Sequence, residues 1–328
     1  MTKIKAIICC LLLFIGWSCN KNIVPEISLE NVETLINQYT DSSYFSDIQK
    51  MQYDRGHIYA LDVRRSDIAV LDTTLRLIYT IGRIGRGPTE LTMPVSFYER
   101  NDTTAVIDFG SRSIKCFEKD LFISATSLPN GCDKRFFFNN TEYYLPAVTE
   151  NNIYMVMQRH TTDSIVPYTY YGELRRISNL DGSSFISMNE RNLLYHDSGC
   201  YAVPEVFPYI ERYDLDNHTL LGQYDLSEIE PYKSNLAYIA TQKQNEKSFY
   251  ILIKDSYIQN DALFILCNKL GKKYSANQIL EIKLLPQMHV ERIYKLPGIA
   301  YGSFCVSPTH FYIFNAREST IEAIKRPI

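Results

Sequence analysis

The sequence lacks the features that most functional classes require. No stripe of basic residues crosses it, and the formal net charge of −3 would repel phosphate, which excludes a nucleic-acid partner. Its longest apolar run, Ala6–Ile15, is too short to span a bilayer, which takes about 20 residues. No G-x-S-x-G elbow is present, which removes the commonest framework for a serine nucleophile. The six histidines are scattered, with no H-x-H, no H-E-x-x-H and no Cys/His pair at zinc spacing, and no D-x-D-x-D-G loop suggests calcium. Neither a metal nor a cofactor is therefore expected. Helical periodicity is nearly absent as well. The best stretch is Leu29–Tyr39, where Leu29, Val32, Ile36 and Tyr39 fall one turn apart, and it reads as a short helix or an irregular tether.

Tryptophan is restricted to Trp17, inside an N-terminal segment that does not read as part of a fold. Lys3 and Lys5 precede the apolar run, and Gly16-Trp17-Ser18-Cys19 closes it, which is the layout of a cleavable signal peptide. A cysteine at that place followed by Asn20-Lys21-Asn22 resembles a bacterial lipobox. Cys19 is accordingly the expected lipidation site, and its acyl chains, palmitate among them, would anchor the protein to the membrane. Cleavage after Ser18 would move the net charge from −3 to −5 by removing both lysines. Of the eight cysteines, Cys116, Cys132, Cys200, Cys267 and Cys305 would then remain as potential thiols. An odd number at irregular spacing is no disulfide framework, although a Cys116–Cys132 pair stays open.

What the sequence does have is aromatic and β-branched residues in short alternating runs, with 25 tyrosines and 16 phenylalanines. From Ser46 onward these runs repeat a template: a buried strand ending in Asp, a polar turn, then an amphipathic strand. Ile58–Asp62 with Asp67–Asp72, and Thr104–Asp108 with Ser113–Glu118, are the clearest copies. Six copies imply a repeat of about 52 residues, near the period of propeller blades. The expected architecture is all-β, a six-bladed β-propeller. Its parts are a signal peptide over 1–18, a lipid-anchored tether over 19–45 and one propeller domain over 46–328. Ring closure is expected to pair a strand near Asp47–Tyr53 with the last blade. Thr161–Tyr168 and Asn189–Tyr201 are expected to be rim loops.

Ile58–Asp72 together with Ile81-Gly82-Arg83-Ile84-Gly85-Arg86-Gly87-Pro88-Thr89-Glu90 resembles the TolB-like six-bladed propeller lipoproteins of Gram-negative envelopes. The resemblance implies a fold and an envelope address. It supplies no catalytic residue, because these families share no agreed activity.

Two further sets of residues are candidates for ligand contact. Gly82–Glu90 has glycines spaced neither as a Rossmann nor as a Walker loop. It reads either as a blade crossover stiffened by Pro88 or as a surface presenting Arg83, Arg86 and Glu90. The tyrosines of Tyr168–Tyr171 and Tyr195–Tyr209, Tyr170 and Tyr209 above all, are either strand filler or a contact surface. Asp62, Asp72 and Asp108 read as turn caps in preference to cation ligands. The functional expectation is a non-catalytic binding or scaffolding propeller for an envelope protein, peptide or glycan. It would be lipid-anchored to the outer membrane, with the periplasmic side favoured. The alternative is a hydrolase or lyase with its site in the channel mouth.

Overall fold

The computed structural model describes residues 24–128, 132–138, 141–146, 154–157, 169–172, 175, 187–197, 199–243, 248–271 and 273–327. The leader 1–18, Cys19 and Thr161–Tyr168 lie outside the described residues. Two short strands come first, β1 (Glu26–Ser28) and β2 (Thr34–Ile36). The first blade follows as β3 (Ile48–Asp54), β4 (His57–Asp62), β5 (Asp67–Asp72) and β6 (Leu77–Ile81), and the next as β7 (Pro94–Arg100), β8 (Thr103–Asp108), β9 (Ser113–Glu118) and β10 (Leu121–Ser127). A four-stranded sheet of β11 (Cys132–Phe138), β12 (Thr141–Pro146), β13 (Tyr154–Met157) and β14 (Thr169–Tyr171) is described in its strand pairing. Then come β15 (Arg191–His196), β16 (Gly199–Pro204), β17 (Tyr209–Asp214) and β18 (Thr219–Asp225), a helix α1 (Tyr232–Thr241), and β19 (Ile253–Gln259), β20 (Ala262–Lys269), β21 (Ser275–Lys283) and β22 (His289–Lys295). The last strands are β23 (Tyr301–Val306), β24 (His310–Asn315) and β25 (Thr320–Lys325).

Apart from β1 and β2, the strands within each blade are antiparallel neighbours in sequence order. The turns reveal why the template works. Arg55-Gly56 and Asn101-Asp102 all have positive φ, the geometry of a two-residue hairpin. Ser66, Arg112 and Ser319 take the same left-handed conformation one residue before β5, β9 and β25. Second and third strands such as β4, β5 and β8 are buried on both faces, so they read as continuous apolar runs. The core lies between neighbouring blades. Met51, Ile58 and Leu71 of the first blade pack against Cys305, Tyr312 and Ile321 of the last, and Phe97 and Val106 pack against Tyr59 and Val70.

The expectation of a TolB-like six-bladed ring is corrected. Five blades are described with packed side chains, and they are not equivalent. The blade of β19–β22 is five-stranded, because β1 adds to β22 in parallel, and the last blade takes its outer strand β2 from the N-terminal segment. Closure is thus made by β2 against β25, and β3, over the segment expected to close the ring, is instead the innermost strand of the first blade. The helical spacing of Leu29–Tyr39 is also overturned. Leu29 and Tyr39 are buried in separate interblade cores, and extended backbone pairing with β22 and β25 provides partners that an isolated helix would lack. Asn189–Tyr201 is no loop, for it contains the inner strand β15 and the start of β16. Cys116 is a free thiol, which settles the Cys116–Cys132 pair against a disulfide.

The strand directions define two rims. First–second and third–fourth strand turns form a hairpin rim, whereas second–third turns and blade-to-blade crossovers form a crossover rim. Helix α1 belongs to the crossover between β18 and β19. It is fixed there by its buried Asn235, which donates to the Asn268 carbonyl at 2.7 Å and accepts from the Leu270 N–H at 2.8 Å.

Candidate functional site

The inner strands carry polar residues that meet across blade boundaries. β3, β7 and β19 each have a bulge at the same register, after Ile48, Pro94 and Ile253, and the residue beyond it is Lys50, Ser96 or Asp255. Lys50 donates to the Ser96 hydroxyl at 3.2 Å, and Asp255 accepts from the Ser303 hydroxyl at 2.7 Å and the Phe304 N–H at 3.0 Å. One turn of the pleat further, Gln52 exchanges two hydrogen bonds with the Glu99 backbone, and the Tyr257 hydroxyl both donates to and accepts from the Tyr53 backbone at 3.1 Å. Tyr98 and Tyr195 meet through their hydroxyls, with ring centroids 6.5 Å apart. These bonds join blades that share no strand, so the axis holds the ring together. No sequence signal marked this set, because the bulge that aligns Lys50 with Asp255 is invisible without the partner strand.

Burial pushes the Asp255 carboxyl up to about 6, against its hydrogen bonds and the Lys50 charge. Asp67 is pushed to about 6 for the same reason, although Arg65 lies at 3.0 Å. Both exceed the unfolded carboxyl value of about 3.9, so the folded protein binds the extra protons and stability rises as pH falls through 6. Thermal melts should show a higher Tm at pH 5 than at pH 7, by on the order of 1 kcal/mol per group. The rise should vanish in a D67N/D255N double variant; if it persists there, these carboxyls are not its source.

The strand-end aspartates turn out to be structural. Asp62 accepts from the Ser46 N–H and hydroxyl, both at 3.0 Å, and from the N–H groups of Arg64 and Arg65. At the equivalent place in the next blade Asp108 accepts from the N–H groups of Thr92 and Met93 and from the Ser111 hydroxyl at 2.6 Å. Each ties the second strand to the incoming crossover. Among the described residues no three His, Cys, Asp or Glu side chains converge as a metal site.

Gly82–Glu90 is the crossover from β6 to β7, wrapped around the Glu90 carboxylate. Glu90 accepts from the Gly87 N–H at 2.8 Å and pairs with Arg83 at 3.0 Å, while buried Lys115 donates to the carbonyls of Gly87 and Glu90. The Gly87 N–H bond, together with Arg83, holds the Glu90 carboxyl below its ordinary range. The structure thus joins Arg83 to Glu90 and leaves the Arg86 side chain exposed on the rim. Gly82 has φ +76°, and a Cβ there would meet Leu91 Cδ1 at 2.5 Å. Gly82→Ala should therefore cost about 1–3 kcal/mol in urea denaturation, through φ strain and overpacking against a buried leucine. An unchanged midpoint would show that the loop shifts freely.

Tyr209 is not a surface contact. It is buried at the start of β17, where its ring lies 4.1 Å below the Arg175 guanidinium carbon and its hydroxyl accepts from Arg191 at 3.5 Å. Arg191 itself is fully buried and pairs with Glu211 at 3.3 Å. Tyr170 lies in β14, paired with Met155, and its side chain is outside the described part.

The two rims differ chemically. Tyr44, Ile84, Met93, Ile251, Tyr274 and Ile299, each 43–69% exposed, lie on crossover-rim loops from the β18–β19 crossover round to the β6–β7 crossover. On the hairpin rim Leu285 is exposed in the β21–β22 turn and Leu121 directly after the β9–β10 turn, while Ile78 and Leu220 are exposed at the start of outer strands β6 and β18. That rim also carries Arg55 paired with Asp54 and Asp102, and His196 at 2.8 Å from Asp261.

No family model matches the sequence, and no curated protein does. Solved structures do match. A protein from Bacteroides fragilis described as exported has a TM-score of 0.59 at 11% identity, covering 93% of this chain and all of that one. A member of the DUF4221 family from Bacteroides vulgatus gives 0.59 at 10% identity, covering 90% and 96%. The β-propeller domain of Cps50 (Swd1) from Myceliophthora thermophila gives 0.50 at 7%, covering 91% and 100%. The TolB-like assignment is replaced by this likeness, and what the chain shares with these structures is an all-β propeller fold.

Proposed function

We propose that the protein is an exported lipoprotein, anchored through Cys19, whose propeller is a non-catalytic binding or scaffolding module for an envelope protein, peptide or glycan. The observation that carries this reading is the contrast between axis and rim. The axial side chains are engaged with one another across the blades, whereas six large apolar side chains are left exposed on crossover loops. Exposed apolar groups on one face mark a surface for a macromolecular partner. The exported Bacteroides protein of similar fold supports an envelope address, and the outer membrane facing the periplasm is the location this reading favours.

The test is cross-linking in living cells followed by mass spectrometry, comparing the natural chain with an I84D/I299D variant of unchanged melting temperature. The expected result is one partner enriched with the natural chain and lost with the variant. Equal capture by both chains would sink the rim as the site. The competing reading, a hydrolase or lyase, rests on Asp255, whose raised carboxyl in the channel suits a general acid or base. It would prevail if the purified protein turned over a glycan, ester or lactone and Asp255→Asn abolished that turnover.

A further inference from the structure

We propose that the β6–β7 crossover is a receptor for a carboxylate of an acidic peptide, and that Glu90 is its built-in occupant, displaced when the peptide docks. This rests on the crossover-rim reading given above and names the chemistry of the partner. The loop holds a carboxylate at close range. Glu90 accepts from the Gly87 N–H at 2.8 Å, from the Arg86 N–H, and from Arg83 Nε and Nη2 at 3.2 and 3.0 Å. Backbone N–H groups converging with a guanidinium are the donor set of an anion-binding nest. The glycines permit the approach, since a Cβ on Gly85 would stand 2.1 Å from Glu90 Oε2 and one on Gly87 3.1 Å from it.

The frame of the nest does not depend on its occupant. Leu91 closes the base of the loop, donating to the Arg83 carbonyl at 2.7 Å and accepting from the Gly85 N–H at 3.1 Å. The Thr92 hydroxyl donates to the Gly85 carbonyl at 2.9 Å, and buried Lys115 donates to the carbonyls of Gly87 and Glu90. None of these bonds uses the Glu90 carboxylate. A carboxylate of another chain would therefore meet the same donors in the same places.

The nest opens beside the proposed docking surface. The Arg83 side chain is 74% exposed and that of Glu90 25%, Arg86 is exposed, and the neighbouring Ile84 and Met93 are 69% and 48% exposed. Entry of a guest exchanges one carboxylate for another, so the gain on docking comes from Arg86 and from cover over Ile84 and Met93. Two exposed arginines favour an acidic partner, and apolar neighbours favour a peptide over a glycan. The competition has a distinctive sign. A tethered carboxylate at high effective concentration opposes the guest, so neutralising Glu90 strengthens binding, whereas loss of a purely structural Glu90 would weaken it.

Fluorescence anisotropy of a labelled peptide of alternating glutamate and leucine, titrated with the purified full-length protein, tests this. Relative to the natural chain, Glu90→Gln should bind about tenfold tighter and Arg83→Ala about tenfold weaker, the scale of one charge-assisted hydrogen bond. A peptide of alternating glutamine and leucine should not bind. Glu318→Gln removes a carboxylate, 63% exposed, from the β24–β25 turn of the same rim and should change nothing. Equal tightening by Glu90→Gln and Glu318→Gln would reduce the effect to overall charge and overturn the nest. Weaker or absent binding by Glu90→Gln of unchanged melting temperature would overturn the displacement. Binding of oligogalacturonate in the peptide's place would overturn the peptide as guest. A cross-linked partner lost with I84D/I299D, beside a Glu90→Gln that does not tighten peptide binding, would overturn the nest and keep the rim. No cross-linked partner in cells would overturn the rim reading, and with it the role of the nest in docking.

Discussion

A chain shortened to begin at Gln38 is expected to show no cooperative unfolding transition in urea. The cut removes β1 and β2, and with β2 goes the outer strand of the last blade. β25 becomes an open edge, its bond from the Glu33 N–H to the Ala323 carbonyl is lost, and the cores around Leu29 and Ile36 open to water. Burying a leucine or isoleucine side chain is worth about 1.5–3 kcal/mol, so losing these residues and the strand bonds consumes much of a typical stability of about 5–15 kcal/mol. A milder cut, beginning at Glu30, removes β1 alone and should leave a weakened but cooperative transition. Tyrosine fluorescence or circular dichroism would follow both, and a normal transition from the longer cut would show that β2 does not close the ring.

Asp108→Ala should cost about 3–5 kcal/mol, the range for breaking a buried ion pair from one side. The carboxylate is fully buried and its neighbour Lys115 at 3.5 Å largely so, and its loss would leave the N–H groups of Thr92 and Met93 without their acceptor. Asp108→Asn should fall between the two, because one oxygen remains. Burial alone would raise this carboxyl, but the Ser111, Met93 and Thr92 hydrogen bonds and the Lys115 charge outweigh it and hold it below its usual value. Its contribution is therefore complete above the unfolded value of about 3.9 and is lost as pH falls through the lower folded value. Urea midpoints at pH 7 and pH 3 check both statements, since the gap between the natural chain and Asp108→Ala should shrink in acid. A gap that stays constant would assign the loss to the empty space and not to the charge.

The parts of the fold that were legible in the sequence are those set by local pattern. A strand buried on both faces and ending in Asp62 or Asp108 leaves an apolar run with a polar stop, and the turns that follow use residues tolerant of positive φ. The N-terminal strands left no such trace. β1 and β2 are three residues each, too short for a period to register, and the spacing of Leu29, Val32, Ile36 and Tyr39 fits one helical face as well as it fits three separate burials. Helix α1 was equally hidden, with Pro231 at its start, no capping side chain and no acid in its first turn. Of the candidate site residues, Arg83 and Glu90 bond each other, and Tyr209 sits beneath Arg175. Tyrosine counts cannot tell a rim from a core, because an aromatic with a polar tip satisfies either when an arginine lies nearby. Lys50 and Asp255 were missed because 205 residues separate them in the chain and only ring closure brings their strands to one axis.

The parallel course of β1 along β22 has a mechanical meaning. A pull on the segment before Val24 acts along the strand axis, so the bonds from the Leu29 N–H to the Lys295 carbonyl and from the Ile293 N–H to the Pro25 carbonyl are loaded in shear and must yield together. Had β1 met the blade at right angles, the same bonds would peel one after another at a lower force. Tension arriving from the N-terminal side is thereby spread over the widest blade before it can reach β2, the strand on which the closed ring depends.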